Sequence, residues 1–194
     1  MDHIYSNIDG WFDFPGFYSF LVQQYKKPNN AMFVEVGSWK GRSASYLAVE
    51  IINSDKPIHL YCVDTWKGSH EHFDHEAVVN NTLYQTFLEN TAPLHHILTA
   101  LQMTSLEGSS KFADNSVEAV FIDASHDHGN VIKDIEAWYP KVAPGGILGG
   151  HDHIDSWPGV ITAVQEFAER YGYKDEIQFS DSSVWYIRKK SLTL

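Results

Sequence analysis

The apolar positions of this chain fall into two alternating patterns. Short, mostly apolar runs at 31–36, 58–63, 95–99, 118–122 and 146–150 predict buried strands, and the stretches near 41–53, 76–90, 105–111, 129–140 and 159–171 carry apolar residues at helical spacing. Strands apolar on both faces and alternating with amphipathic helices predict an α/β fold, a doubly wound parallel sheet with helices on both sides. Ahead of the first strand, segment 1–28 crowds Trp11, Phe12, Phe14, Phe17, Tyr18 and Phe20 together. It predicts an aromatic helix ending before Pro28, either packed as core or lying as a flap over a ligand. Pro140, Pro144 and the pair Gly145-Gly146 predict a sharp turn into the fifth strand. The tail, Glu176 to Ser180 and Val184 to Lys189, reads as two more strands joined by the polar turn Asp181-Ser182-Ser183. The 194 residues suit one domain, 1–194, with no linker or internal repeat.

The segment joining the first strand to the first long helix carries the strongest chemical signal. In Phe33-Val34-Glu35-Val36-Gly37-Ser38-Trp39-Lys40-Gly41-Arg42-Ser43-Ala44, an apolar run ends in an acid, turns on glycine and enters a helix. Gly37 lets the backbone turn close to a ligand, Gly41 lets the helix start there, and the free N–H groups of the first helical turn favour an anion or polar ligand. The pattern predicts a nucleotide-type cofactor site formed by Glu35, Gly37, Ser38, Gly41 and Ser43. The second strand, Ile58 to Val63, closes on Asp64, about twenty-five residues beyond the turn, where a carboxylate can accept bonds from ribose hydroxyls.

Two further strand ends carry acids and imidazoles. Ala119-Val120-Phe121-Ile122-Asp123-Ala124-Ser125-His126 puts Asp123 at the end of the fourth strand and His126 in the loop after it. Gly145-Gly146-Ile147-Leu148-Gly149-Gly150-His151-Asp152 does the same for the fifth. In an open parallel sheet the ligand lies at the carboxyl ends of the strands, so both pairs are expected to face the cofactor crevice.

These segments resemble the class I S-adenosylmethionine-dependent methyltransferases, and among them the small metal-dependent catechol- and caffeoyl-type O-methyltransferases and bacterial natural-product sugar O-methyltransferases. Most of that superfamily reads E/D-x-G-x-G-x-G at the first turn. Here Trp39 replaces the middle glycine, a departure shared by the metal-dependent branch and unlike the G-x-G-x-x-G of dinucleotide dehydrogenases. The resemblance implies a Rossmann-like sheet of seven strands in order 3-2-1-4-5-7-6 with strand 7 antiparallel. It implies S-adenosyl-L-methionine as cofactor, a divalent metal (Mg or Mn), and Asp123, His151 and Asp152 as its ligands. His126 stands where the family usually has a basic lysine and is the expected general base, since imidazole accepts a proton near neutral pH. His151 stands in place of an aspartate, which shifts the ligand set from all-oxygen towards manganese, iron or zinc, or leaves the site metal-free.

Composition narrows the remaining classes. A formal net charge of -11 without a long basic run argues against nucleic acid, and a neutral or cationic small-molecule acceptor fits better. No basic leader followed by an apolar run and no stretch of about eighteen apolar residues is present, so neither export nor a membrane is indicated. The single cysteine, Cys62, sits in the apolar second strand and reads as buried packing in a reducing, cytoplasmic setting. His70, His72 and His75 share a polar loop without cysteine partners and read as solvated surface rather than a zinc site. Trp11, Phe12, Trp66 and Trp157 are candidate walls of an acceptor pocket. Two other functions stay open: an iron oxygenase using two histidines and one carboxylate from Asp123, His126, His151 and Asp152, and a noncatalytic cofactor binder. Assembly into a homo-oligomer is left open as well.

Overall fold

Strand β1 (Ala31–Val36) lies inside the sheet with a neighbour on each side, which is why it is buried along almost its whole length. It pairs in parallel with β2 (Ile58–Asp64) on one side and β4 (Val117–Ile122) on the other. Strand β3 (Leu98–Gln102) extends the sheet beyond β2, and β5 (Val142–Gly150) lies beyond β4. The last two strands, β6 (Gln178–Ser180) and β7 (Val184–Arg188), form an antiparallel hairpin, and β7 pairs antiparallel with β5. The order is therefore β3-β2-β1-β4-β5-β7-β6. The computed structural model describes residues 1–181 and 183–191, apart from the side chain of His70; the expected turn residue Ser182 lies outside them.

Alternation along each strand sends side chains to two cores. Phe33, Ala119 and Phe121 face α1 (Pro15–Gln24), α2 (Arg42–Ser54) and α4 (Leu83–Thr91), whereas Val34, Val36, Val120 and Ile122 face α6 (His128–Trp138) and α7 (Pro158–Tyr171). Two local signals fix helix starts on the second side. The Asp127 side chain caps α6 by accepting from the Asn130 N–H, and Pro158 opens α7, where its missing N–H costs nothing.

The structure departs from the expected boundaries in three places. The stretch 76–90 is two helices, α3 (Glu76–Val79) and α4, because the chain reverses at Asn80-Asn81 with Asn81 in a left-handed conformation. Strand β3 begins at Leu98 rather than 95: a short turn at Ala92–Leu94 precedes it, His95 and His96 are exposed, and pairing with Leu60 sets the start. Pro144 and Gly145 lie inside β5 rather than before it, at an irregularity where its register with β4 shifts between Val117 and Ala119. Among the described residues no helix is long and apolar enough to cross a membrane.

Candidate active site

The carboxyl ends of β1, β2, β4 and β5 open into one cavity of about 730 Å³. Its floor is the turn after β1. Gly37 takes a φ of +88°, and a Cβ there would lie 2.0 Å from the Asp123 carbonyl oxygen, so only glycine lets the β1 turn and the β4 end meet. Gly37, Ser38, Ser43, Asp64 and Asp123 all reach the cavity wall.

Glu35 and Gly41, expected in the cofactor site, are not among the residues that line the cavity. Glu35 is 1% exposed, and its carboxylate accepts from Tyr18 Oη at 2.7 Å and from Ser38 Oγ at 2.6 Å, with Ser43 as a further donor. Burial pushes its carboxyl up to about 7, against the effect of these hydroxyl donors. Gly41 precedes α2 in a left-handed conformation, and a Cβ there would lie 2.8 Å from Thr91 and 3.1 Å from Phe87. Its smallness lets the start of α2 pack against α4.

Asp64 organises the turn from the other side. Its Oδ2 accepts from the backbone N–H groups of Ser38 and Trp39, both at 2.9 Å, and its Oδ1 from that of Trp66 at 2.7 Å. Burial raises its pKa, and the amide donors oppose that rise. Trp39 sits at φ +48°, so the residue replacing the family glycine keeps a left-handed backbone held by this carboxylate.

The opposite end of the cavity gathers ionisable groups from four segments of the chain. His126 Nε2 lies 2.9 Å from Asp152 Oδ2, and His126 Nδ1 lies 3.0 Å from Glu71 Oε2. His151 Nδ1 lies 3.3 Å from Asp152 Oδ1 and 3.9 Å from Asp123 Oδ1, while its Nε2 lies 2.9 Å from Asp13 and 2.8 Å from Ser183 Oγ. Charge follows geometry here. Burial disfavours both imidazolium ions, yet the facing carboxylates outweigh it, raising His126 and carrying His151 up to about 9. Burial pushes Asp123 up to about 6, and the two histidines hold Asp152 well below the usual carboxylate range despite its own burial.

One ligand atom each from Asp123, His126 and Asp152 lies within 4.8 Å of the others. Among the described residues this group includes His126 and not His151, although His151 Nδ1 also faces both of its carboxylates. Two carboxylates and one imidazole form a donor set closer to manganese than to magnesium.

The aromatic walls are also reassigned. Trp66 is core: it is buried, and its Nε1 donates to the Trp39 carbonyl at 2.7 Å. Trp157 stacks on His126 at 4.1 Å, and Trp11 and Phe12 line the cavity, Trp11 remaining 73% exposed at its rim. His72 lines the cavity, and the rings of His72 and His75 pack 4.5 and 5.0 Å from Trp39 rather than standing free in solvent. Pattern reading missed Asp13, Glu71, Met103 and Ser105, all on the wall. Each lies in a loop or at a helix start, where no periodicity marks it; only the Thr104–Glu107 capping box signals that β3 ends near Ser105.

Comparison with known proteins agrees with this geometry. The fold is similar to that of the O-methyltransferase NovP, with a TM-score of 0.69 and 16% identity over 91% of this chain and 79% of that one. It is similar as well to CalS11, described as a TDP-rhamnose 3'-O-methyltransferase of calicheamicin biosynthesis, with a TM-score of 0.62 and 12% identity over 90% and 76% of the two chains. A curated relative, the uncharacterized protein y4gI of Sinorhizobium fredii, is 23% identical over 150 residues. That match covers 77% of this chain but only 16% of the relative's length. A family model described as a methyltransferase domain matches residues 34–153, well over half of the sequence, from the middle of β1 to just past Asp152. The chain belongs to this methyltransferase-domain family.

Proposed function

We propose that this protein transfers a methyl group from S-adenosyl-L-methionine to a hydroxyl of a small acceptor, with a divalent cation at Asp123 and Asp152. The observation that carries the reading is one cavity with a glycine turn and a β2-end carboxylate on one side and a carboxylate–imidazole cluster on the other. Its volume suits a nucleoside cofactor and a small partner. When bound, the cofactor supplies an electrophilic methyl on sulfur, and the cation supplies a Lewis acid that lowers the pKa of an acceptor hydroxyl.

The chain's own groups divide the remaining work. Gly37 and Ser38 line the path of the cofactor, and Asp64 offers carboxylate lone pairs to its ribose. Glu71 fixes the His126 ring through Nδ1, and Nε2, which faces Asp152 Oδ2 across 2.9 Å, is the nitrogen assigned to take the acceptor proton. The same nitrogen cannot ligate a cation and receive that proton at once, and we assign it to the proton. Trp11, Phe12 and Trp157 exclude water around the acceptor. The acceptor is read as a small molecule rather than nucleic acid, in keeping with the net charge of -11, and the compartment as cytoplasmic, in keeping with one buried, unpaired Cys62.

The test is transfer of labelled methyl from S-adenosylmethionine to a panel of sugars and aromatic diols, before and after exhaustive chelation. Transfer that is abolished by EDTA and restored by magnesium or manganese is the expected result. Full activity after chelation removes the cation from the mechanism. Calorimetric binding of S-adenosylhomocysteine without transfer to any acceptor favours the noncatalytic reading, and binding of 2-oxoglutarate instead favours the oxygenase.

A further inference from the structure

Lys40 stands in the glycine turn after β1, yet it is not among the residues that line the cavity. Its side chain is only 12% exposed, and Nζ lies 2.6 Å from Asp9 Oδ2 and 3.4 Å from His75 Nε2. These partners belong to two different arms of the chain, one ahead of α1 and one between β2 and α4. Each arm reaches a histidine at the ionisable end of the cavity.

Residues 8–13 form the first arm. Beyond Asp9 it carries Trp11, Phe12 and Asp13 along the cavity wall, and Asp13 Oδ1 meets His151 Nε2 at 2.9 Å. Residues 67–79 form the second. His75 caps α3 by accepting from the Ala77 N–H, and its own N–H donates to the His72 carbonyl at 2.9 Å. Glu71, in the same helical turn His70–His72, meets His126 Nδ1 at 3.0 Å. A lysine ammonium has three donors, so one group serves both arms at once. The turn that presents it is itself fixed, because the Lys40 carbonyl accepts from Asn90 Nδ2 at 2.9 Å.

Closure of the first arm leaves donors unpaired. Gly10 crosses the Trp39 ring, where a Cβ on it would lie 3.3 Å from Cδ1 and 3.9 Å from Nε1. At that crossing Trp39 Nε1 and Arg42 Nε are buried with no hydrogen-bond partner, which favours lifting the arm into water. Other contacts favour closure: Trp11 lies 6.1 Å from Trp39 and 5.6 Å from His72, and Arg42 Nη1 donates to the Ile8 and Gly10 carbonyls, both at 3.1 Å. The Arg42 bonds hold the first arm only. We propose that Lys40 is a latch closing both arms over the cavity, and so a positioning residue that acts through Asp9 on the acceptor wall and through His75 on Glu71 and the His126 ring. Asp9 is 77% exposed, so its pair with Lys40 is screened and the latch is weak enough to open.

The positioning role rests on the methyl-transfer reading above, whereas the latch is measured without it. Hydrogen exchange of the full chain at pH 8, resolved peptide by peptide, compares the wild type with Lys40→Met, which keeps the stem and drops the ammonium, and with Asp9→Asn. Lys40→Met should speed amide exchange about 3- to 10-fold in residues 8–13 and 67–79 together, the scale of one partly exposed charge pair with its hydrogen bonds. The helices α5 (Ser105–Ser109), α6 and α7 should exchange as in the wild type. Asp9→Asn should speed exchange in residues 8–13 alone. In methyl transfer, Lys40→Met should raise the acceptor KM by a similar factor and leave the S-adenosylmethionine KM near wild type; loss of folded protein moves neither KM. Should Lys40→Met fold poorly, Lys40→Leu takes its place. Unchanged exchange in either arm, an increase spread evenly over the chain, or a loss confined to the cofactor KM would overturn the proposal. A wild type that fails to bind S-adenosylhomocysteine defeats the methyl-transfer reading and the positioning role with it, while exchange still decides whether Lys40 latches the arms.

Discussion

His126 Nε2 and Asp152 Oδ2 lie 2.9 Å apart across the ends of β4 and β5, while Glu71 holds the other side of the same ring at 3.0 Å. An imidazole between two carboxylates is a strong proton acceptor whose orientation is fixed at both nitrogens. That arrangement gives the proposed base its geometry and sets its pH behaviour.

His126→Ala should lower turnover about 10²- to 10⁴-fold, the usual span for general acid–base catalysis, while S-adenosylhomocysteine affinity stays near wild type. Both carboxylates favour the imidazolium, so the wild-type rate should fall as pH drops through a midpoint above the ordinary histidine value. Single-turnover transfer measured beside thermal unfolding checks this. A variant with lowered Tm but normal turnover per folded molecule makes His126 structural.

Asp64 joins stability to cofactor binding, because its carboxylate holds three backbone N–H groups around the turn and also reaches the cavity. Asp64→Ala should destabilise the fold by at least about 2 kcal/mol, since each bond to an ionised acceptor contributes on the order of 1.5–3 kcal/mol. Calorimetry should show weakened S-adenosylhomocysteine binding in the folded fraction. Unchanged affinity there would remove Asp64 from the ribose site.

Gly37 and Gly145 share nearly the same backbone angle, +88° and +80°, but differ in the space around them. A Cβ on Gly37 meets the Asp123 carbonyl at 2.0 Å, whereas one on Gly145 meets nothing within 4 Å. Gly145→Ala should cost only the conformational strain, about 1–2 kcal/mol. Gly37→Ala should cost clearly more, because β1 and β4 must part, and it should also abolish cofactor binding. Denaturant unfolding of the pair isolates the steric part; equal losses would contradict the close approach.

Glu35 gives a pH signature of stability. Its carboxyl rises from the ordinary 4.5 to about 7 on folding, so the folded protein binds the proton more tightly than the unfolded chain does. The sign follows: this group favours the fold below pH 4.5, and its contribution declines as pH rises to about 7, by about 3 kcal/mol in all. Glu35→Gln should flatten that part of the profile. Chemical denaturation of both proteins at several pH values in this window reads the difference directly, and parallel profiles would show that Glu35 does not titrate there.

The sequence alone carries the strand–helix alternation, the glycine turn, and the acids Asp64, Asp123 and Asp152 at strand ends, because these depend on local periodicity and on the sidedness of a parallel sheet. Resemblance supplies the hairpin and the strand order. Tertiary structure decides what those signals leave open. Glu35 turns away from the cavity because Tyr18, seventeen positions earlier, donates to it. Trp66 is core because the Trp39 carbonyl takes its N–H. Glu71 reaches His126 from fifty-five residues away, and Asp13 reaches His151 from one hundred and thirty-eight. Periodicity reports the direction of a side chain relative to its own strand or helix. It carries no information on which distant loop folds back to meet that side chain, and the partners of His126 and His151 are fixed by such long-range packing.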